Sequence, residues 1–242
     1  MTTVQTASRE PKYDATEIDL ARTSLRDLNA RLHRLGPGDA GAVREILNPG
    51  GAHAVAAGIN ADVRVDIRGS VGYYCGGMNC RARIVIHGSA GPGVAENMMS
   101  GEVHVKGDAS QYAGATGRGG FLSIEGNASS RCGISMKGID IVVRGDVGHM
   151  SAFMAQAGDL VVLGDAGDAL GDSIYEARIF VRGSVASLGA DCIAKDMRPE
   201  HLATVQALLD RAGIDGVGAD EFTRYGSART LYNFNVDNAS AY

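Results

Sequence analysis

The side chains best able to do chemistry in this sequence are its histidines and cysteines, and their spacing predicts neither a metal site nor a nucleophile. The histidines form no cluster with ligand spacing, and no two cysteines stand in a CxxC pair. We therefore expect structural histidines and buried free thiols. The residues concerned are His33, His53, His87, His104, His149, His201, Cys75, Cys80, Cys132 and Cys192.

Motifs that mark known catalytic sites are also missing from the sequence. It contains no GxxxxGK[ST], HExxH or GxSxG motif and no EF-hand loop. The run Gly117-Arg118-Gly119-Gly120 resembles part of a nucleotide-binding loop, but no helix is expected after it. The sequence thus predicts no catalytic, cofactor-binding or metal-binding residue in this chain.

Most of these residues lie within a unit that occurs seven times at intervals of 19 residues, each copy with one glycine that we call the anchor. Apolar residues stand four and two positions before the anchor, Asp, Asn or Ser directly after it, and Gly or Ala seven positions after it. Residues two apart share one face of a strand, and glycine permits the turn that ends it. The pattern predicts one strand per copy, followed by a polar side chain that bonds to its own backbone. The anchors are Gly69, Gly88, Gly107, Gly126, Gly145, Gly164 and Gly183.

A 19-residue unit with one strand can bury its apolar face only by stacking on copies of itself. The repeat therefore predicts an all-β fold, a right-handed parallel β-helix of seven coils with short flanking helices. Gly50 lies 19 residues before Gly69, but the strand positions before Gly50 do not fit, so we expect a degenerate first coil there. The predicted regions are an N-terminal arm and amphipathic helix (1–47), the β-helix (48–197), and a C-terminal helix with an aromatic tail (198–242).

Two features of the C-terminal half predict contact with a partner. One is an outward-facing apolar strip formed three positions before successive anchors, which either the helix from residue 199 or another subunit must cover. The other is the tail from residue 222, which is rich in aromatic residues and arginine, as interfaces are, unless it folds back on the β-helix. The predicted partner interface comprises Val142, Val161, Phe180, Tyr225, Tyr232, Phe234 and Tyr242. The methionines at the coil corners are expected to fill gaps inside the coils.

Composition limits the class of partner and the compartment. The net charge is −5, the charges are mixed in sign, and no long basic block is present, which argues against nucleic acid and anionic membranes. No apolar run is long enough for a transmembrane helix, and residues 1–19 lack the apolar core of a signal peptide. We therefore expect a cytoplasmic protein.

A polysaccharide-cleaving β-helix is the enzyme alternative, because such sites bring carboxylates together on one outer face. The position directly before the anchor carries mostly basic side chains and one carboxylate, Glu125, and no aspartate pair accompanies it. This column and the missing secretion signal argue against that activity.

The long runs at the coil corners resemble a known family. They are similar to the GXGXG-type β-helix at the C-terminus of the large subunit of glutamate synthase. They are more similar still to the β-helix subunit of N-methylglutamate synthase (methylamine–glutamate N-methyltransferase), over roughly residues 16–242. The runs are Val71–Asn79, Gly93–Gly101, Arg131–Gly138, Gly148–Gln156, Gly171–Ala177 and Val236–Tyr242.

The resemblance implies a hetero-oligomeric complex that forms N-methyl-L-glutamate and ammonia from methylamine and L-glutamate. One partner would be similar to a class II glutamine amidotransferase, and the other to the glutamate synthase flavoprotein with FMN and an iron–sulfur cluster. The present chain would join them as a non-catalytic scaffold without a cofactor of its own. The related alternatives are the equivalent subunit of a glutamate-synthase-like amidotransferase or of a formylmethanofuran dehydrogenase.

Overall fold

The computed structural model describes residues 16–231, whose strands form a single sheet of 11 strands wound into a parallel β-helix. Strands β1 to β9 pair in sequence order and in parallel. The predicted fold class is confirmed. The strands are β1 Glu17–Asp19, β2 Val43–Leu47, β3 Arg64–Arg68, β4 Arg83–Ile86, β5 Glu102–Val105, β6 Phe121–Ile124, β7 Asp140–Val143, β8 Asp159–Val162, β9 Arg178–Val181, β10 Cys192–Lys195 and β11 Thr223–Ser227.

The register of the sheet repeats the spacing of the sequence. Ile84 on β4 pairs with Val103 on β5, which pairs with Leu122 on β6, each step being 19 residues. These side chains point inward and are fully buried, as are their equivalents two positions later. Because every coil adds one such pair at the same place, the core is a continuous stack along the axis of the β-helix.

The small residues seven positions after the anchor lie at corners that leave no room for a longer side chain. Residues five, seven and nine after the anchor have positive φ angles in six successive coils, as in Gly76 (+64°) and Ala95 (+57°). A Cβ added to Gly114 would lie 2.5 Å from Cδ1 of Ile141. The corner therefore combines left-handed backbone with tight packing, which is why only Gly and Ala occupy this position.

The polar residue after the anchor bonds to the next coil and not, as predicted, to its own backbone. Oδ1 of Asp146 accepts a hydrogen bond of 2.8 Å from the backbone N–H of Asp165, the equivalent residue one coil later. Asn127 accepts from Asp146 in the same way at 2.8 Å. The stacking of identical turns at the strand spacing places each side chain beside the next backbone, so these residues join the coils to one another.

The N-terminal end of the sheet lies further upstream than the predicted boundary at residue 48. Ile46 on β2 pairs with Ile67, 21 residues later, whereas the N–H of Gly72 bonds to the carbonyl of Ala52 with the usual coil offset. Two extra residues thus lie in the turn Asn48–Gly51 and shift the strand pattern that Gly50 was expected to anchor.

The first α-helix, α1 (Leu25–His33), lies between β1 and β2 and covers the N-terminal end of the core. Ser24 caps it as predicted, its Oγ accepting from the N–H of Asp27 at 3.1 Å. Leu28 and Leu32 are almost fully buried against the first coils. Their helical spacing supplies the apolar face that the end of a β-helix requires.

At the C-terminal end, the chain leaves the coil pattern after residue 192. The second α-helix, α2 (Pro199–Arg211), begins at the proline that predicted it. Strand β11 then returns into the sheet between β9 and β10 and runs antiparallel to both. Neither α1 nor α2, the two α-helices within residues 16–231, has the length and apolarity needed to span a bilayer.

Candidate functional site on the outer sheet face

The outward-facing side chains of the sheet form three columns, located five, three and one position before the anchors. Helix α2 covers the C-terminal part of this face. Val142, Val161 and Phe180, in the middle column, have at most 1% of their surface exposed, and they pack with Val205 and Leu209 of α2. Of the two coverings expected, the structure contains the chain's own helix. These three residues are therefore not available to a partner, which corrects their place in the predicted interface.

Tyr225 also belongs to the β-helix rather than to a free tail. It lies on β11, opposite Ile179 on one side and Ala194 on the other, and it packs partly buried against the core. The first residues of the predicted tail thus fold back into the sheet. The other three predicted interface residues, Tyr232, Phe234 and Tyr242, lie outside the described residues.

The C-terminal end of α2 is held to the sheet by two arginines. Nε and Nη2 of Arg211 donate to Oε1 of Glu102 at 3.1 and 3.0 Å, and the guanidinium lies 4.4 Å from the ring centre of Phe121. Nη2 of Arg144 donates to the carbonyl of Gly213, just after the helix, at 2.8 Å. The helix is therefore fixed by charge and by ring contact as well as by its apolar face.

Glu102 continues into a buried hydrogen-bonded chain with His104 and Ser123. Nε2 of His104 lies 3.0 Å from Oε2 of Glu102, and Nδ1 lies 2.7 Å from Oγ of Ser123. Because a carboxylate only accepts, Nε2 is the donor, and Nδ1 accepts from the serine hydroxyl. The order of groups resembles a serine, base and carboxylate set, but Ser123 is only 8% exposed. The chain accordingly orients Glu102 toward Arg211, and the expectation that His104 is a satisfied structural histidine is confirmed.

Two aspartates on adjacent coils form a second polar cluster on this face. Asp159 is buried and accepts from Nε and Nη2 of Arg178 at 2.6 and 2.7 Å, and its own N–H donates to Oδ1 of Asp140 at 3.2 Å. Burial, followed by the negative charge of Asp159, raises the pKa of Asp140 to about 6. Sequence analysis missed this pair because it searched the column directly before the anchor. The column five positions before it contains both residues.

The N-terminal part of the outer face lies beyond α2 and is covered with ion pairs. Asp66, almost fully buried, accepts from Nε and Nη2 of Arg64 at 2.6 and 2.9 Å and lies 2.8 Å from Nε2 of His87. The hydrogen bonds from Arg64 lower the pKa of Asp66 to about 2, although burial opposes them. The polar groups here are engaged with one another rather than directed at an open cleft.

The cysteines are free, as expected. Cys75, Cys132 and Cys192 are buried, and burial raises the pKa of Cys132 to about 12, so its thiol stays protonated. Across residues 16–231, no group of three or more His, Cys, Asp or Glu side chains is arranged to hold a metal ion.

The fold and this outer face define a parallel β-helix protein whose outward polar groups are largely engaged in contacts within the chain. No protein-family model matches it. The chain is 68% identical over 225 residues to protein GlxC of Rhizobium meliloti (strain 1021), a match that covers 93% of this chain and 99% of GlxC. This chain therefore belongs to the GlxC family.

Proposed function

We propose that this chain is the structural subunit of an N-methylglutamate synthase complex. It would join an amidotransferase-like subunit to a flavoprotein subunit that carries FMN and an iron–sulfur cluster, and it would contribute no catalytic residue itself. The complex would form N-methyl-L-glutamate and ammonia from methylamine and L-glutamate in the cytoplasm. The choice of complex rests on the resemblance of the corner runs.

The observation that carries the scaffold role is the unbroken stacking of β1 to β9. Nine parallel strands at the usual interstrand spacing extend about 38 Å. Each coil is bonded to the next through strands and through the side chains that follow the anchors. Such a body bends little, so two partners bound along it would keep a constant separation.

Large apolar side chains exposed at the corners supply candidate contacts for the partners. Met78 is 48% exposed, Met99 47% and Met154 36%, so the expectation that corner methionines fill internal gaps is wrong for them. It is confirmed for Met98 and Met136, which are fully buried. Unbranched, polarizable side chains adapt to a facing surface, and methionine is enriched in interfaces.

Met78 and Met154 also have positive φ angles, +54° and +52°. A left-handed conformation costs a residue with a side chain roughly 1–2 kcal/mol relative to glycine. These corners therefore display a methionine where glycine would be less strained, which supports a role for the exposed side chain.

The test is to isolate the native assembly by a tag on this chain and to measure its mass and bound cofactors. We expect both partners, with FMN and the iron–sulfur cluster, and we expect the double variant Met78→Glu/Met154→Glu to lose one or both. Val43→Glu is the matched control, because Val43 is equally exposed at 46% but lies on the outer face of the first coils. Turnover by the isolated chain, or a native mass of this chain alone, would contradict the proposal.

A further inference from the structure

The two ends of the β-helix are finished differently. At the N-terminal end, Leu28 and Leu32 of α1 cover the core. At the C-terminal end, no helix in the described residues takes an equivalent position, and Leu188, Ile193 and Leu231 are 38%, 43% and 52% exposed. Repeat structures need both ends covered, because the last coil otherwise leaves apolar surface in water.

The last strand at this end also has an open edge. Strand β10 pairs with β11 on one side, and no other strand within residues 16–231 pairs with its second side. Alternate N–H and C=O groups of β10 therefore point away from the sheet. Open edges of this kind accept a further strand, and natural proteins commonly cover or disrupt them.

The chain continues from a point directly beside the start of β10. After β11, the N–H of Ala228 donates to the carbonyl of Asp191 at 2.7 Å, and the N–H of Thr230 donates to its Oδ1 at 2.8 Å. Asp191 immediately precedes Cys192, the first residue of β10. A segment that begins at residue 232 therefore needs almost no linker to reach this edge.

The sequence of that segment has the alternation of a strand. Tyr232, Phe234 and Val236 occupy every second position, with Asn233 and Asn235 between them. Alternation of this kind places apolar side chains on one face and polar ones on the other. The segment lies outside the described residues, and five extended residues reach about 17 Å, enough to follow the four residues of β10.

We propose that residues 232–236 of the same chain pair with the free edge of β10 as the terminal strand of the sheet. Their apolar side chains would then cover the C-terminal end of the core near Leu188. The β-helix would thus be closed by its own tail, and the contact would not depend on a partner or on the proposed function.

Hydrogen exchange of the isolated full-length chain, followed by mass spectrometry, tests this pairing. The variant Phe234→Pro/Asn235→Pro removes two neighbouring N–H groups, one of which must face β10 because alternate groups point to opposite edges. The matched control, Ala239→Pro/Ser240→Pro, places the same two prolines beyond the segment.

We expect amides of residues 192–196 to exchange roughly tenfold faster in the Phe234→Pro/Asn235→Pro variant than in the wild type, and at the wild-type rate in the control. Equal rates in all three chains would overturn the proposal. Protection that appears only when a partner subunit is added would assign the edge to that partner, and protection lost on dilution together with a dimer mass would assign it to a second copy. Either of these results also overturns the proposal.

Discussion

Arg211 and Glu102 are 109 residues apart in the sequence, yet two hydrogen bonds join the guanidinium to a single carboxylate oxygen. This contact anchors the end of α2 to the fifth strand of the sheet, at the edge of the apolar cluster that the helix covers. His104 and Ser123 orient the carboxylate from behind. The covered half and the charged half of the outer face therefore meet at this pair.

Replacing Arg211 with alanine should loosen the end of α2. Because its side chain is 41% exposed, we expect the salt bridge and the contact with Phe121 to contribute together only about 1 kcal/mol to the free energy of unfolding. Arg198→Ala is the control, since Arg198 is more exposed and lies 3.8 Å from Glu200. Urea denaturation should show a clear loss for Arg211→Ala and almost none for Arg198→Ala. Equal losses would show that this pair does not hold the helix.

Asp140 should make stability depend on pH between its unfolded and folded pKa values. Its pKa is raised in the folded state from 3.8 to about 6, so the native state binds more protons than the unfolded state between these values. Its contribution therefore favours folding below pH 3.8 and is lost as the pH rises through about 6. Asp140→Asn should remove this slope and stabilise the protein at pH 7 by about 1–2 kcal/mol, after allowance for partial exposure.

The measurement for Asp140 is the free energy of unfolding at pH 4.5 and pH 7 in both chains. Asp66→Asn provides the opposite sign, because the pKa of Asp66 is lowered to about 2 and its contribution is lost as the pH falls toward that value. Should Asp140→Asn have the same pH slope as the wild type, Asp140 would not be titrating in this range.

Gly114→Ala should destabilise the fold through overlap with Ile141. The added Cβ would stand 2.5 Å from Cδ1 of Ile141, at a φ angle of +68°. Gly213→Ala separates the two effects, since Gly213 has φ +65° but no atom within 4 Å of an added Cβ. We expect about 1 kcal/mol for Gly213→Ala from the backbone alone, and 1–3 kcal/mol more for Gly114→Ala from overpacking. Thermal unfolding of the two variants is the check, and losses of similar size would mean that the corner can relax.

Asp146→Ala should remove one bond between adjacent coils. The N–H of Asp165 would lose its acceptor, which we expect to lower the free energy of unfolding by about 1 kcal/mol. Asp146→Asn should cost much less, because Asn127 makes the same contact one coil earlier with its amide oxygen. If asparagine were as damaging as alanine in urea denaturation, the charge of Asp146, and not its hydrogen bond, would be responsible.

The coil architecture could be predicted because its evidence is local and repeated. Each strand, anchor glycine and small corner residue recurs at a fixed spacing, so a column such as Gly76 and Ala95 can be recognised without knowing what it contacts. The caps of both helices, at Ser24 and Pro199, were recognisable for the same reason. The first coil was misplaced only because two extra residues at Asn48–Gly51 interrupt the spacing.

Contacts between distant segments depended on the tertiary structure. Nothing in the sequence decides whether α2 or another subunit covers Phe180, since both coverings bury the same apolar surface. Strand β11 carries too little alternation to predict its place between β9 and β10. The sequence by itself determined the repeated coil and its inward face, because stacking joins equivalent residues of neighbouring units. The covering of the outer face and the pairing of Arg211 with Glu102 were decided only when the chain folded back over those coils.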